Sequence, residues 1–103
     1  MDYNQQTRKG DMAKIYIVDR ENKADIKAFA VDRDYKADLI WCEVDRDYNA
    51  KGDALWFFVD RENKATTKLF WVDRENKADI KVFKTDRHYN AKWKKSHKLQ
   101  NRL

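Results

Sequence analysis

The chain has no proline, two glycines, one cysteine and two histidines in 103 residues. Each scarcity excludes something. The single thiol, Cys42, makes no internal disulfide and offers no cysteine framework for a metal. His88 and His97 stand nine residues apart, far in sequence from Cys42, which matches no metal-ligand spacing. With Gly10 and Gly52 alone there is no glycine-rich phosphate loop, and no nucleophile elbow is present. No apolar run approaches the ~20 residues needed to span a bilayer, and the first residues, MDYNQQTRKGDM, hold no apolar signal core. The expectation is a cytoplasmic protein that is no enzyme, has no cofactor or metal, and keeps off membranes.

What is present is a repeat. The dipeptide Asp-Arg returns six times, at Asp19-Arg20, Asp32-Arg33, Asp45-Arg46, Asp60-Arg61, Asp73-Arg74 and Asp86-Arg87, with gaps of 13, 13, 15, 13 and 13. Val precedes each Asp except Asp86, which follows Thr85, and Ala stands five residues after every one. Between these markers lie short runs rich in aromatic and β-branched residues: KIYIV, IKAFAV, LIWCEV, LWFFV, KLFWV and IKVFKT. Such runs, separated by DREN, DRDY or DRHY, predict strands and turns. A continuous helix is excluded by geometry. At ~100° per residue, thirteen residues rotate equivalent positions by roughly 220°, so no shared buried stripe results. A strand of about 6–8 residues and a turn of about 4–6 fill the period. Both faces of the runs carry large apolar groups, which predicts strands buried on both sides toward their C-terminal ends.

With proline absent and glycine scarce, Asp is expected to supply the turn chemistry by accepting a backbone N–H two residues ahead. Asn22, Asn63 and Asn76 stand where a residue tolerant of positive φ would fit, but Tyr35, Tyr48 and Tyr89 occupy the same place in the other repeats.

A second level of repetition lies above the first. Residues 18–51 align with 59–92 at an offset of 41, and 21 of the 34 positions are identical. The body is thus two copies of a three-repeat unit, with a two-residue insertion near Lys51-Gly52 at their junction. Terminal and central repeats look alike, which favours a closed object over a capped solenoid. The boundaries follow: a leader at 1–12, an all-β body at 13–92 made of six short strand–turn repeats, and a basic tail at 93–103. A closed body is expected to be monomeric, since it has few edges to pair.

The repeat V-D-R-x-[NY]-K-A-D-[IL]-K-x-F closely resembles that of a small, functionally uncharacterised family of VDR-repeat proteins. The resemblance covers residues 14–92 and implies a β-rich chain deeply knotted as a septafoil, with seven crossings. Two three-repeat laps of one chain around an axis, twined about each other, would generate such a knot. The resemblance implies no activity, substrate or cofactor. The chain departs from the pattern after Ala: Asp25 and Asp38 have Lys51, Thr66 and Lys92 as counterparts.

Two charged features remain to be weighed. The net charge is +5, yet residues 13–91 hold 16 basic and 16 acidic side chains, and the whole excess falls on Lys92, Lys94, Lys95, Lys98 and Arg102. Six near-identical Asp-Arg pairs argue for structure, as turn markers and an ion-pair ladder between repeats, since a catalytic site is normally unique. Asp45 and Asp47 lack the glycine and closing glutamate of a calcium loop. The tail combines phosphate-seeking charge at Lys94, Lys95 and Lys98 with aromatic rings at Trp93 and His97, a pattern suited to nucleic acid. Against that, Trp93 replaces Gly52 of the first copy and would serve equally as a plug for the barrel. The partner is left open between nucleic acid and another protein, beside the reading of a robust structural or interaction module.

Overall fold

Each apolar run forms a strand, but a shorter one than its sequence suggests. In the computed structural model, which describes residues 12–100 and 103, the strands are β1 (Ala13–Ile17), β2 (Ile26–Ala30), β3 (Leu39–Glu43), β4 (Leu55–Phe58), β5 (Thr67–Trp71), β6 (Ile80–Lys84) and β7 (Lys92–Trp93). All of the leader except Met12 lies outside the described residues. Six single 3-10 turns follow the Asp-Arg dipeptides: η1 (Glu21–Lys23), η2 (Asp34–Lys36), η3 (Asp47–Asn49), η4 (Glu62–Lys64), η5 (Glu75–Lys77) and η6 (His88–Asn90). Asn22, Asn63, Asn76 and the three tyrosines all sit at the centre of these right-handed turns, so positive φ is not needed there. Gly52, with φ 68°, takes that role instead.

The six long strands are parallel and close into a barrel in the order β4-β1-β5-β2-β6-β3, with β3 pairing back to β4. Strands of the first copy therefore alternate with strands of the second. Parallel neighbours usually need a crossover of about a dozen residues or more, whereas here most connections have eight. Stagger explains the economy. Ile17 at the end of β1 and Ile26 at the start of β2 are both level with Leu69. Likewise Ala30 and Leu39 are level with Val82, and Trp71 and Ile80 with Ala28. The chain leaves one strand at the height where the next begins, and need only step over the strand between. Accordingly η1 packs on β5, η2 on β6, η4 on β1, η5 on β2 and η6 on β3. Each lap is inside the other at its strands and outside it at its turns.

One connection breaks the rule. β4 lies directly beside β3, with Cys42 opposite Leu55. This single-position step drops the second lap into the gaps of the first, and it is made through the longer segment containing Gly52.

Side chains three before each Val (or Thr85) fill the barrel's middle layer: Ile15, Ala28, Trp41, Trp56, Leu69 and Val82, all at most 6% exposed. Those two residues earlier form the upstream layer. Burial on both faces is confined to β3, whose first residues pair with β7. β1, β2 and β6 are buried at their starts and open at their ends, where Ile17, Ala30 and Lys84 are exposed, the reverse of the expected gradient. Connections leave the barrel at those ends and cover less of it.

The laps are clasped by the residue after each Ala. Asp25 donates its N–H to the Lys68 carbonyl (2.7 Å), and its carboxylate accepts the Lys68 N–H (2.9 Å). Asp38 does the same to Lys81, Asp79 to Lys27, and Thr66 to Lys14. Every clasp joins one copy to the other. Loss of the buried carboxylate at Asp38 leaves an amide without its acceptor, a penalty of about 2 kcal/mol. Asp38→Ala is therefore expected to lower the urea midpoint more than Asp25→Ala, whose site is open to water, while Asp38→Asn keeps an acceptor and recovers part of the loss. Tryptophan fluorescence during urea titration measures all three; equal losses at both sites would contradict the clasp.

Candidate functional site

The Asp-Arg pairs mark the turns, as their spacing predicts, but their chemistry differs from expectation. In every turn the Arg is the N-cap in extended conformation, φ −116° to −138°, with no side-chain cap. Closure is backbone to backbone, as in Lys23 N–H to Arg20 C=O and Ala24 N–H to Glu21 C=O. Nor do the pairs form a ladder. Among the described residues Asp32 alone of the twelve makes an ion pair, with Lys36 at 3.8 Å and in water. Asp19, Asp45, Asp60, Asp73, Asp86 and Arg20, Arg33, Arg46, Arg61, Arg74, Arg87 all point outward and are exposed. Ion pairs form instead at Lys27–Glu21, Lys68–Glu62 and Lys81–Glu75 (3.2–3.4 Å) beside the clasps, and at Lys84–Glu43 (3.5 Å) between the copies.

The segment after β6 is built onto the barrel and is not a separate tail. β7 runs antiparallel to β3 and straddles the boundary expected at residue 93, pairing Trp93 with Leu39 and Lys92 with Ile40. Lys94 N–H then donates to the Asp38 carbonyl (2.8 Å). Asp53, only 7% exposed, is the anchor. Its carboxylate accepts the Trp93 indole N–H (2.8 Å) and the Leu103 N–H (3.1 Å), while its carbonyl accepts the Trp56 indole N–H. Leu103 is fully buried against the upstream layer. Trp93 stacks on His97 at 5.5 Å, and His97 and Lys95 approach the Asp38 carboxylate at 3.7 and 3.9 Å. Of the five residues expected to meet nucleic acid, Trp93 and His97 are thus engaged in holding the segment down. Lys94, Lys95 and Lys98 are exposed.

Sequence reasoning missed Asp53 and the clasps. A signal for the clasps was present: Asp25, Asp38, Thr66 and Asp79 are all short acceptors, and the two exceptions, Lys51 and Lys92, both end a lap.

The downstream end of the barrel is floored by aromatic rings. Trp41 and Trp56 stack at 4.2 Å, Phe58 meets Trp41 edge-on, and Lys84 lies over the Trp41 ring at 5.4 Å. Outside β3, a cleft of ≈ 660 Å³ brings Cys42, Asp45, Asp86 and His88 to one place. Among the described residues no three His, Cys, Asp or Glu side chains converge as metal ligands would, and no helix is long and apolar enough to cross a membrane.

A family model described as the 7(1) septoil knot domain matches residues 12–94. No curated protein and no solved structure matches the chain.

Cys42 is buried, and desolvation followed by the nearby Asp86 carboxylate raises its thiol above the ordinary value, against the opposing pull of Lys84. Thiolate is the reactive form, so the folded protein is expected to react with iodoacetamide at pH 8 much more slowly than the urea-unfolded chain, as read by intact mass. The raised value also means that the folded state holds its proton longer, so this group's contribution to stability falls once pH rises past the thiol's unfolded value.

Proposed function

Since the chain belongs to the septoil knot domain family, its interleaved laps forming the body of a seven-crossing knot, we propose that it is a non-enzymatic structural or interaction module built to withstand unfolding and proteolysis. The observation that carries this reading is the alternation of the laps. A strand cannot leave the barrel outward without displacing the turn of the other lap that covers it, and that turn is bonded to the other lap on both sides, as at η1 by Val18 N–H to the Leu69 carbonyl and Asp25 N–H to the Lys68 carbonyl. Tension on the ends draws the laps tighter around each other. Resistance of this kind is kinetic, a matter of the unfolding barrier more than of equilibrium stability.

The sixfold repetition of the Asp-Arg motif supports a structural role, since a catalytic site is normally unique. A second reading is favoured by one observation: four of the five excess cations, Lys92, Lys94, Lys95 and Lys98, lie on the stretch that begins with β7 beside β3. Lys94, Lys95 and Lys98 are exposed on a stretch pinned at β7 and at Leu103, which presents cations at low entropic cost to a phosphate backbone.

The first reading is tested by fusing a degradation signal to one end and presenting the protein to an ATP-driven unfoldase coupled to a protease. Stalling, with a protected fragment that contains residues 13–92, is the expected outcome. Complete digestion at the rate of an unknotted β domain of equal equilibrium stability would remove the proposal.

A further inference from the structure

The six 3-10 turns fall into two kinds. Asn stands at the centre of η1, η4 and η5, and Tyr at the centre of η2, η3 and η6. In sequence the two kinds are intermixed, in the order Asn, Tyr, Tyr, Asn, Asn, Tyr. In space they are sorted. The tyrosine turns η2, η6 and η3 pack on β6, β3 and β4, which are three consecutive strands of the barrel; the asparagine turns pack on β1, β5 and β2, the other three. Interleaving of the laps thus gathers Tyr35, Tyr89 and Tyr48 on one half of the circumference. They are the most exposed large rings among the described residues, at 68, 66 and 66%.

The positive charge is on the same half. The segment that begins at η6 and continues through β7 lies along β3, the middle strand of the three. From Thr85 to Lys98 it carries one acid, Asp86, against Arg87, Lys92, Lys94, Lys95 and Lys98. In η6 the acidic residue that opens the other five turns is replaced by His88. Arg87 donates to the Tyr89 hydroxyl at 2.7 Å and His88 meets that ring edge-on at 5.9 Å, so the ring is held in place with a cation beside it. The asparagine half has no such segment: there Glu21 and Glu62 pair with Lys27 and Lys68.

We propose that the β6-β3-β4 half of the barrel is a binding face for single-stranded nucleic acid, with Tyr35, Tyr48 and Tyr89 as stacking platforms and Lys94, Lys95 and Lys98 as phosphate contacts. This rests on the second reading above and moves its aromatic component from Trp93, which the fold has already engaged, to the tyrosines. Exposed rings spaced around a basic surface take up unstacked bases without reading their edges, so the ligand class is single-stranded and the sequence preference weak. A duplex hides the base faces that the rings would meet.

The test exploits the repeat itself. Asn already occupies the same turn position in the sister repeats, so the triple variant Tyr35→Asn, Tyr48→Asn, Tyr89→Asn keeps a turn the fold accepts; unchanged thermal melting verifies this. Binding of a fluorescein-labelled oligouridylate of about 15 nucleotides is followed by anisotropy at several salt concentrations. The full chain is expected to bind, the triple Asn variant to bind at least about tenfold more weakly with an unaltered salt dependence, and the triple Phe variant to bind as the parent does. Lys94→Gln, Lys95→Gln, Lys98→Gln is expected to shrink the slope of log K against log salt by about 2, at ~0.7 per lost phosphate contact. An affinity for the Asn variant within twofold of the parent overturns the tyrosine face; if the lysine variant still loses slope, the tail reading survives alone. No binding at low salt overturns both, and equal affinity for a duplex of the same length overturns the stacking role.

Discussion

The fold depends on a pair of hydrogen bonds made four times. In each, the residue after Ala gives its amide proton to a lysine carbonyl of the other lap and takes that lysine's amide proton on its side chain. The bond is between laps, never within one, so a single three-repeat copy has nothing to close on. It also fixes register. A clasp sets the first residue of one strand level with a defined residue of its neighbour, and a slip by one would turn Ile15, Leu69 or Val82 out of the core. Once register is fixed, the end of each strand is level with the start of the next, and eight residues suffice for a connection that parallel sheets normally make with a helix. Short turns, closed barrel and mutual enclosure of the laps all follow from that stagger.

Where the clasp is missing, the structure does something else. The two positions with lysine after Ala are Lys51 and Lys92. At Lys51 the chain must move one strand position instead of two, and Gly52 and Asp53 make that step. At Lys92 it must leave the barrel, and β7 turns antiparallel along β3. Asp53 joins the two departures, since one carboxylate holds Trp93 and Leu103. Both breaks in the repeat are therefore used to seal the upstream end.

Much of this was legible. Period, strand type, the 41-residue duplication and the junction at Gly52 are all carried by residue identity and spacing, because a β repeat must put its apolar side chains at fixed alternation. The knot was legible only through resemblance, since which lap passes outside which is a property of the path and not of any local pattern. The charged residues misled in a specific way. Asp19-Arg20 and its five counterparts are the most regular letters in the chain, yet the polar contacts between laps are made by the less regular Asp25, Asp38, Thr66 and Asp79. Regularity at the turns reflects a shared backbone shape on an exposed surface. Variation after Ala reflects a position that must satisfy a partner, and fails only where a lap ends.

The same topology explains why scattered residues can form a face. In a barrel wound once, neighbours in sequence are neighbours in space, and Tyr35, Tyr48 and Tyr89 would be spread as their turns are. Winding twice with a single-position step at the junction places η6 between η2 and η3. Tyr in place of Asn in three of the six repeats then accumulates on one side without disturbing any strand. The lap junction thus has two consequences. It lets the second lap interlock with the first, and it makes the two halves of the circumference independently variable, one keeping asparagine at its turns and the other carrying the rings and the C-terminal cations.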